Sequence, residues 1–307
     1  MKVCIIGGTG HIGSFLVPEL AKEGHELTVV TRCVRPEPKS AAWRKVALVK
    51  SDYARGDKAF FASAASVGAE LVIDILGRDL PGLYEAVKSR ARHVIVCGSL
   101  WMLGPPKVVP TPPETQSPCP FDGYALRWKE LLATKRNAKR DGIAFTAVLP
   151  PNISGPGKVP LEGRGGRDVQ VHLSHSRGEP VFLPENCNTL IAPSDASDVA
   201  RVFTLAVRNR DAAADEIFNA GPPYALTAPR FIEAYAEIYR TRIPIEYVSA
   251  EKFYGEVLPD EGANYHFREH MAPDISKTRA KLGYEPEFTS EESMSRAVAW
   301  MHEQKLL

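Results

Sequence analysis

Residues 7–13 read Gly-Gly-Thr-Gly-His-Ile-Gly, directly after an apolar run (KVCII, residues 2–6) and directly before a stretch with helical apolar spacing. Few short segments constrain a fold as tightly. Gly7 permits a tight turn at the strand end. Gly10 lets backbone approach a ligand closely, and Gly13 lets the following helix pack against the strand. The free N–H groups and positive dipole end of that helix favour an anion, and the loop, with His11 and Ile12 in it, has the form that holds a dinucleotide pyrophosphate.

The rest of the first half repeats the alternation. Residues 26–31, 45–50, 70–76, 93–97 and 145–149 read as short buried strands, and 11–23, 59–67, 80–90 and 124–140 as helices. Strand and helix in turn imply an α/β fold, a doubly wound parallel (Rossmann) sheet with helices on both faces. The second half changes character after the Gly/Pro-rich stretch 150–167, with helices expected at 195–207, 227–239, 276–282 and 290–304. These divisions suggest a dinucleotide-binding domain over 1–150 and a smaller, mostly helical substrate-binding lobe over 151–307, with some segments returning to the core. The lobe would lie over the carboxyl edge of the sheet, where ligands bind in this architecture.

Composition excludes several classes. With 44% apolar and 24% charged residues and a formal charge of +1, the 307-residue chain is neither disordered nor globally suited to nucleic acid or an anionic membrane. No apolar run reaches the ~18 residues of a membrane span. Cys4, Cys33, Cys97, Cys119 and Cys187 show no CxxC spacing, and the chain enters its first strand without a leader-like segment, so reduced thiols and a cytoplasmic location are expected. The helix at 124–140 carries Arg127, Lys129, Lys135, Arg136, Lys139 and Arg140 with little aromatic interleaving, which reads as a solvated face. His172/His175 and His266/His270 have metal-like spacings but no third ligand nearby, so no metal is expected.

The end of the second strand bears on the choice of cofactor. An acid there would hold a ribose 2′-hydroxyl; this chain has Thr31-Arg32, with Arg35 close by. Arginine forks suit a 2′-phosphate, so NADP is expected over NAD. Asp52, after the third strand, could meet the adenine or cap a turn, and Leu76 and Gly77, after the fourth, complete the candidate cofactor set.

Later segments extend the pattern: Val96-Cys97-Gly98-Ser99 with Gly104, Glu114 through Tyr124, Leu149 through Gly157, Asp195 with Asp198-Val199-Ala200, Phe218-Asn219-Ala220-Gly221, and Asp274-Ile275-Ser276-Lys277 with Leu282-Gly283-Tyr284. In this order they resemble the extended short-chain dehydrogenase/reductases, in the NAD-dependent epimerase/dehydratase family, over nearly the whole chain. The resemblance implies a Ser/Tyr/Lys site acting on a hydroxyl or carbonyl of a small polar molecule, such as a sugar or nucleotide sugar. Ser99 matches the serine that polarises the substrate oxygen, and Tyr124 the tyrosine that exchanges its proton. Asn152 matches a substrate-facing position. His266 and Arg268 fall in the lobe that would hold the substrate, as do Arg164 and Arg167, which could serve a phosphate. A homodimer is the family's common form.

The lysine departs from the pattern. The family has Tyr-x-x-x-Lys, whereas Trp128 stands in that slot and Lys129 follows one residue late, rotated by ~100° on a regular helix. Three readings stand open: a π-bulge returns Lys129 to the site as a catalytic residue, Arg127 or another cation replaces it, or the usual chemistry is lost. The last would leave a cofactor-binding protein that is a redox-sensing or RNA-associated scaffold.

Overall fold

The computed structural model describes residues 1–33 and 40–307; Arg35 lies outside the described residues. Seven parallel strands form the central sheet: β1 (Lys2–Ile6), β2 (Glu26–Thr31), β3 (Ala47–Lys50), β4 (Leu71–Asp74), β5 (His93–Cys97), β6 (Ala144–Leu149) and β7 (Glu216–Asn219), in the order β7-β6-β5-β4-β1-β2-β3. From β1 the chain winds outward through β2 and β3, then crosses back to β4 and winds the other way. The crevice at the carboxyl ends of β1 and β4 is therefore the topological switch point, where ligands bind in such sheets.

Alternation along β1 divides the core. Cys4 and Ile6 face one layer with Phe60, Leu83, Trp128 and Leu131, which belong to α2 (Lys58–Ser66), α3 (Leu80–Val87) and α4 (Asp122–Arg140). Val3 and Ile5 face the other, with Leu16, Val17 and Leu20 of α1 (Gly13–Lys22) and Val199, Val202 and Phe203 of α5 (Ala196–Arg208). The inner strands bury both faces, which is why these segments read as continuous apolar runs, while the edge strand β3 stays partly exposed.

The structure corrects several boundaries. β4 stops at Asp74 rather than 76, because its carboxylate accepts from the backbone N–H groups of Leu76 and Gly77, both at 2.9 Å, and turns the chain away. Residues Ala41–Lys45 form a 3-10 turn, so β3 begins only at Ala47. α5 and the helix Ala228–Tyr239 start on side-chain caps from Asp195 and Thr227, the latter with a proline in its first turn. β7, four residues long, carried no strand expectation, and it closes the sheet beside β6.

The C-terminal lobe has more strand than expected. Three two-stranded ribbons pair Asn152–Ser154 with Pro193–Asp195, Leu190–Ile191 with Leu226–Thr227, and Val181–Pro184 with Ile245–Val248. Phe231, Tyr235, Phe253 and Phe267 pack with Leu161 and Leu183 into a core of the lobe's own.

Candidate active site

The phosphate loop follows from sterics. Gly7 sits at φ 81°, outside the range most side chains adopt, and its N–H donates to the Val30 carbonyl at 3.1 Å. A Cβ on Gly13 would meet the Gly8 carbonyl oxygen at 2.2 Å, so the helix can approach the loop this closely only with glycine there. The first turn of α1 carries neither a side-chain cap nor an acidic residue; the N–H groups of Ser14, Phe15 and Leu16 bond the carbonyls of Gly10 and Ile12, so an anion would be met by the loop just ahead of them and by the positive end of the helix.

A cavity of about 160 Å³ beside this loop is lined by Gly7, Thr31, Arg32, Asp52, Leu76 and Arg78. Arg32 Nε lies 3.9 Å from Asp52 Oδ1, both exposed, and Thr31 Oγ1 lies 2.9 Å from Thr9 Oγ1. The floor is a buried network. Asp74, fully enclosed, also accepts from Tyr53 Oη at 3.2 Å, and that oxygen accepts from the Asp79 N–H at 3.0 Å. Burial raises the Asp74 carboxyl, while the backbone donors of Gly77 and Leu76 pull it down. Sequence reasoning missed Tyr53, Asp74 and Arg78; the one available signal was an acid ending an otherwise apolar strand.

The larger cleft, about 680 Å³, opens where the loops after β1, β5 and β6 converge. Gly10, His11, Ser99, Tyr124, Arg127 and Asn152 all line it, joined by Trp101, Lys158, Arg167 and His266. Ser99 is the first residue of the turn into Leu100–Leu103. Its Oγ accepts from the Trp101 N–H at 3.3 Å, which leaves the hydroxyl proton to donate. Tyr124 stands in the first turn of α4, its ring 5.6 Å from that of Trp101.

α4 is a regular α-helix from Asp122 to Arg140, and a π turn occurs elsewhere, at Phe253–Val257. Lys129 is accordingly carried out of the site: it is exposed and does not line the cleft, contrary to the π-bulge reading. Trp128, in the family's lysine slot, turns into the core, and its indole N–H donates to Thr115 Oγ1 at 2.8 Å. The cation that α4 does bring to the cleft is Arg127, whose Nη2 donates to the Leu76 carbonyl at 3.2 Å.

The histidines divide by place. His266 lines the cleft, buried 4.9 Å from the Trp101 ring, and burial pushes it down to about 3. His11 is pushed down to about 4 by burial and by the nearby Arg167, and its Nε2 lies 3.3 Å from the Gly155 carbonyl oxygen. Both rings are therefore neutral at ordinary pH. His172 and His175 sit deep in the lobe, and His270 Nδ1 accepts from the Leu190 N–H at 3.1 Å. Arg268 is a further departure from expectation: it is exposed, stacked 4.5 Å over the Tyr254 ring, and outside the cleft. Arg164 is also exposed, whereas Arg167 reaches in.

The model of the NAD dependent epimerase/dehydratase family matches residues 3–82. The chloroplast stem-loop binding protein of 41 kDa b from Arabidopsis thaliana is 26% identical over 314 residues, 96% of this chain and 77% of that protein. UDP-glucose 4-epimerase of Lactobacillus helveticus is 23% identical over 344 residues, 98% of this chain and 96% of that one. Among solved structures, UDP-glucose 4-epimerase from Thermotoga maritima, crystallised with UDP-glucose, superimposes with a TM-score of 0.75 at 22% identity, covering 99% of this chain and 100% of that one. The chain therefore has the fold of this epimerase structure, and over residues 3–82 it is similar to the NAD dependent epimerase/dehydratase family.

Proposed function

We propose that this protein is an NADP(H)-dependent oxidoreductase or epimerase acting on a hydroxyl or carbonyl of a small polar substrate. One observation carries the reading: the phosphate loop, Ser99, Tyr124 and a cation line a single cleft at the sheet's switch point. The residues fit the cofactor. Gly10 lines both cavities and presents no side chain to either, and the loop just ahead of α1, with the positive end of that helix, takes the pyrophosphate. Leu76 and Gly77 flank the adenosine side. Arg32 and Arg78, with no acid at the end of β2, favour a 2′-phosphate over a bare ribose. The bound nicotinamide supplies the hydride acceptor or donor.

The chain's own groups handle the proton. The Ser99 hydroxyl donates to the substrate oxygen and polarises it, and Tyr124 Oη exchanges the proton with that oxygen. A phenol of ordinary pKa ≈ 10 is a poor base at neutral pH unless a cation stabilises its anion. Arg127, three residues on and permanently charged, takes the part that lysine has in the family pattern. Asn152 and His266, both neutral donors, orient the substrate from the lobe side.

The test is turnover of NADP+ or NADPH against a panel of hydroxy and carbonyl compounds, with Tyr124→Phe as control. Turnover lost in the variant supports the reading. Tight cofactor binding with no turnover on any compound would sink it. A second reading has two observations behind it: Trp128 occupies the lysine slot, and one relative is a chloroplast stem-loop binding protein. In that reading the chain binds NAD(P) as a scaffold, and the exposed Lys129, Arg136, Lys139 and Arg140 of α4 meet RNA. Filter binding of a stem-loop RNA at physiological salt, lost on Lys139→Glu/Arg140→Glu, would favour it.

A further inference from the structure

The main cleft is built for an anion on the substrate. Three cationic side chains line it, Arg127, Lys158 and Arg167, and no aspartate or glutamate does so among the described residues. Arg167 is the unusual one. It is half-buried, and burial pulls its pKa down, yet among the described residues it makes no ion pair with a carboxylate. Its bonds go to two backbone carbonyls, Nη1 to Val159 and Nη2 to Ile153, both at 2.8 Å. Glu162 is near, but its two carboxylate oxygens accept from the N–H groups of Arg164 and Gly166.

A guanidinium has five N–H donors, so two carbonyls leave capacity facing the cleft. Glu162 acts on Arg167 only at a distance, and taking a charge partly out of water without a direct ion pair is costly, a cost that an anion in the cleft would offset. The surroundings repeat the deficit. His266, 5% exposed, and Asn152, 7% exposed, each keep a buried nitrogen without a partner, His266 Nδ1 and Asn152 Nδ2, and His11 Nδ1 is in the same state. Arg167 is close enough to influence both His11 and His266, so all these groups converge on one region. Since both rings are neutral, the positive potential comes from the arginines and Lys158.

Size narrows the ligand. Pockets of about 300–1,000 Å³ hold one drug-sized molecule. This cleft, at about 680 Å³, would take the nicotinamide half of the cofactor and the substrate together, which favours a compact molecule over a nucleotide.

We infer that the substrate is a compact hydroxy or carbonyl compound bearing a carboxylate or phosphate, held by Arg167 and Lys158 with Asn152 and His266 as neutral donors, rather than a nucleotide sugar. This rests on the proposed cofactor-dependent reading of the same cleft and specifies its substrate class.

The test uses the protein loaded with NADP+ and follows tryptophan fluorescence, to which Trp101 in the cleft contributes, and calorimetry on titration with glucose, gluconate, glucose 6-phosphate, inorganic phosphate and UDP-glucose. Gluconate or glucose 6-phosphate should bind at least tenfold more tightly than glucose, and the better of the two identifies carboxylate or phosphate. Inorganic phosphate should compete with it. Lys158→Gln should weaken the anion at least tenfold while NADP+ affinity stays within twofold. Arg167→Gln should do the same, and Lys158→Gln keeps the question open to measurement if loss of the Ile153 and Val159 contacts unfolds the arginine variant. Equal binding of glucose and its acids, preference for UDP-glucose, or parallel loss of NADP+ and anion in Lys158→Gln would each overturn the inference. The proposed function would survive the first two results. It would fail separately, if NADP+ did not bind at all.

Discussion

Acidification from pH 6.5 towards 4 should cost this protein stability, and two histidines of the helix Val169–Ser176 make the effect measurable. His172 Nε2 faces the Pro160 carbonyl oxygen at 3.2 Å and must donate to it, so its Nδ1 accepts from Tyr239 Oη at 3.0 Å. His175 Nε2 accepts from the Gly163 N–H at 3.1 Å, which places that ring's proton on Nδ1. A second proton on either ring would sit buried and displace a bond. Burial accordingly pushes both from 6.5 down to about 4. Above pH 6.5 the folded and unfolded forms are both neutral and the rings cost nothing. Below it the unfolded chain takes up protons that the folded one refuses, so stability falls with pH and levels off only below about pH 4. Each ring is worth about 3.5 kcal/mol over that window, and the pair about 7, against a total of about 5–15 kcal/mol for a typical domain. His93 and His266, also buried and lowered, act in the same direction.

The assay is urea unfolding at stepped pH. His175→Gln keeps an acceptor for the Gly163 N–H and removes the titration. Its stability should fall less steeply than the parent's, by about 1.4 kcal/mol per pH unit, between about pH 5 and 6. Identical slopes for parent and variant would refute the reasoning, as would a parent whose stability is flat across that interval.

Other expectations follow from the site. Gly13→Ala, which forces a Cβ to 2.2 Å from the Gly8 carbonyl oxygen, should abolish NADP+ binding by calorimetry and lower the melting temperature. Arg127→Met should lower both kcat and kcat/KM by about 10²-fold, the usual scale for aiding a general acid/base. Lys129→Met should leave both unchanged, since the side chain is exposed outside the cleft. Arg32→Asp should weaken NADP+ by about 1–2 kcal/mol more than NAD+, measured by competition; equal weakening would remove Arg32 from the 2′-phosphate site.

The parts legible in the sequence are those set by local rules. β5 spans the residues its apolar run marks, and Ser276–Leu282 forms the helix its spacing predicts. The phase of α4 was legible too: one residue is ~100° of helix, and the structure spends that rotation carrying Lys129 to solvent. What escaped depends on distant partners. β7 is too short to carry a period and is a strand because β6 offers it an edge. Arg167 and Arg268 look alike in sequence, yet one is drawn inward by the carbonyls of Ile153 and Val159 and the other lies over Tyr254. Asp74 reads as an interruption of a strand until the N–H groups of Leu76 and Gly77 turn back upon it.

The bond from the Trp128 indole to Thr115 decides what a lysine at this position would cost. The slot that holds a lysine elsewhere now ties the proline-rich segment before α4 to the helix. Putting a lysine back would drive an ammonium into that apolar layer and cut the segment loose in the same step. A single substitution would therefore cost stability before it could return a cation to the site, and only a joint change at Trp128 and Thr115 would spare the contact.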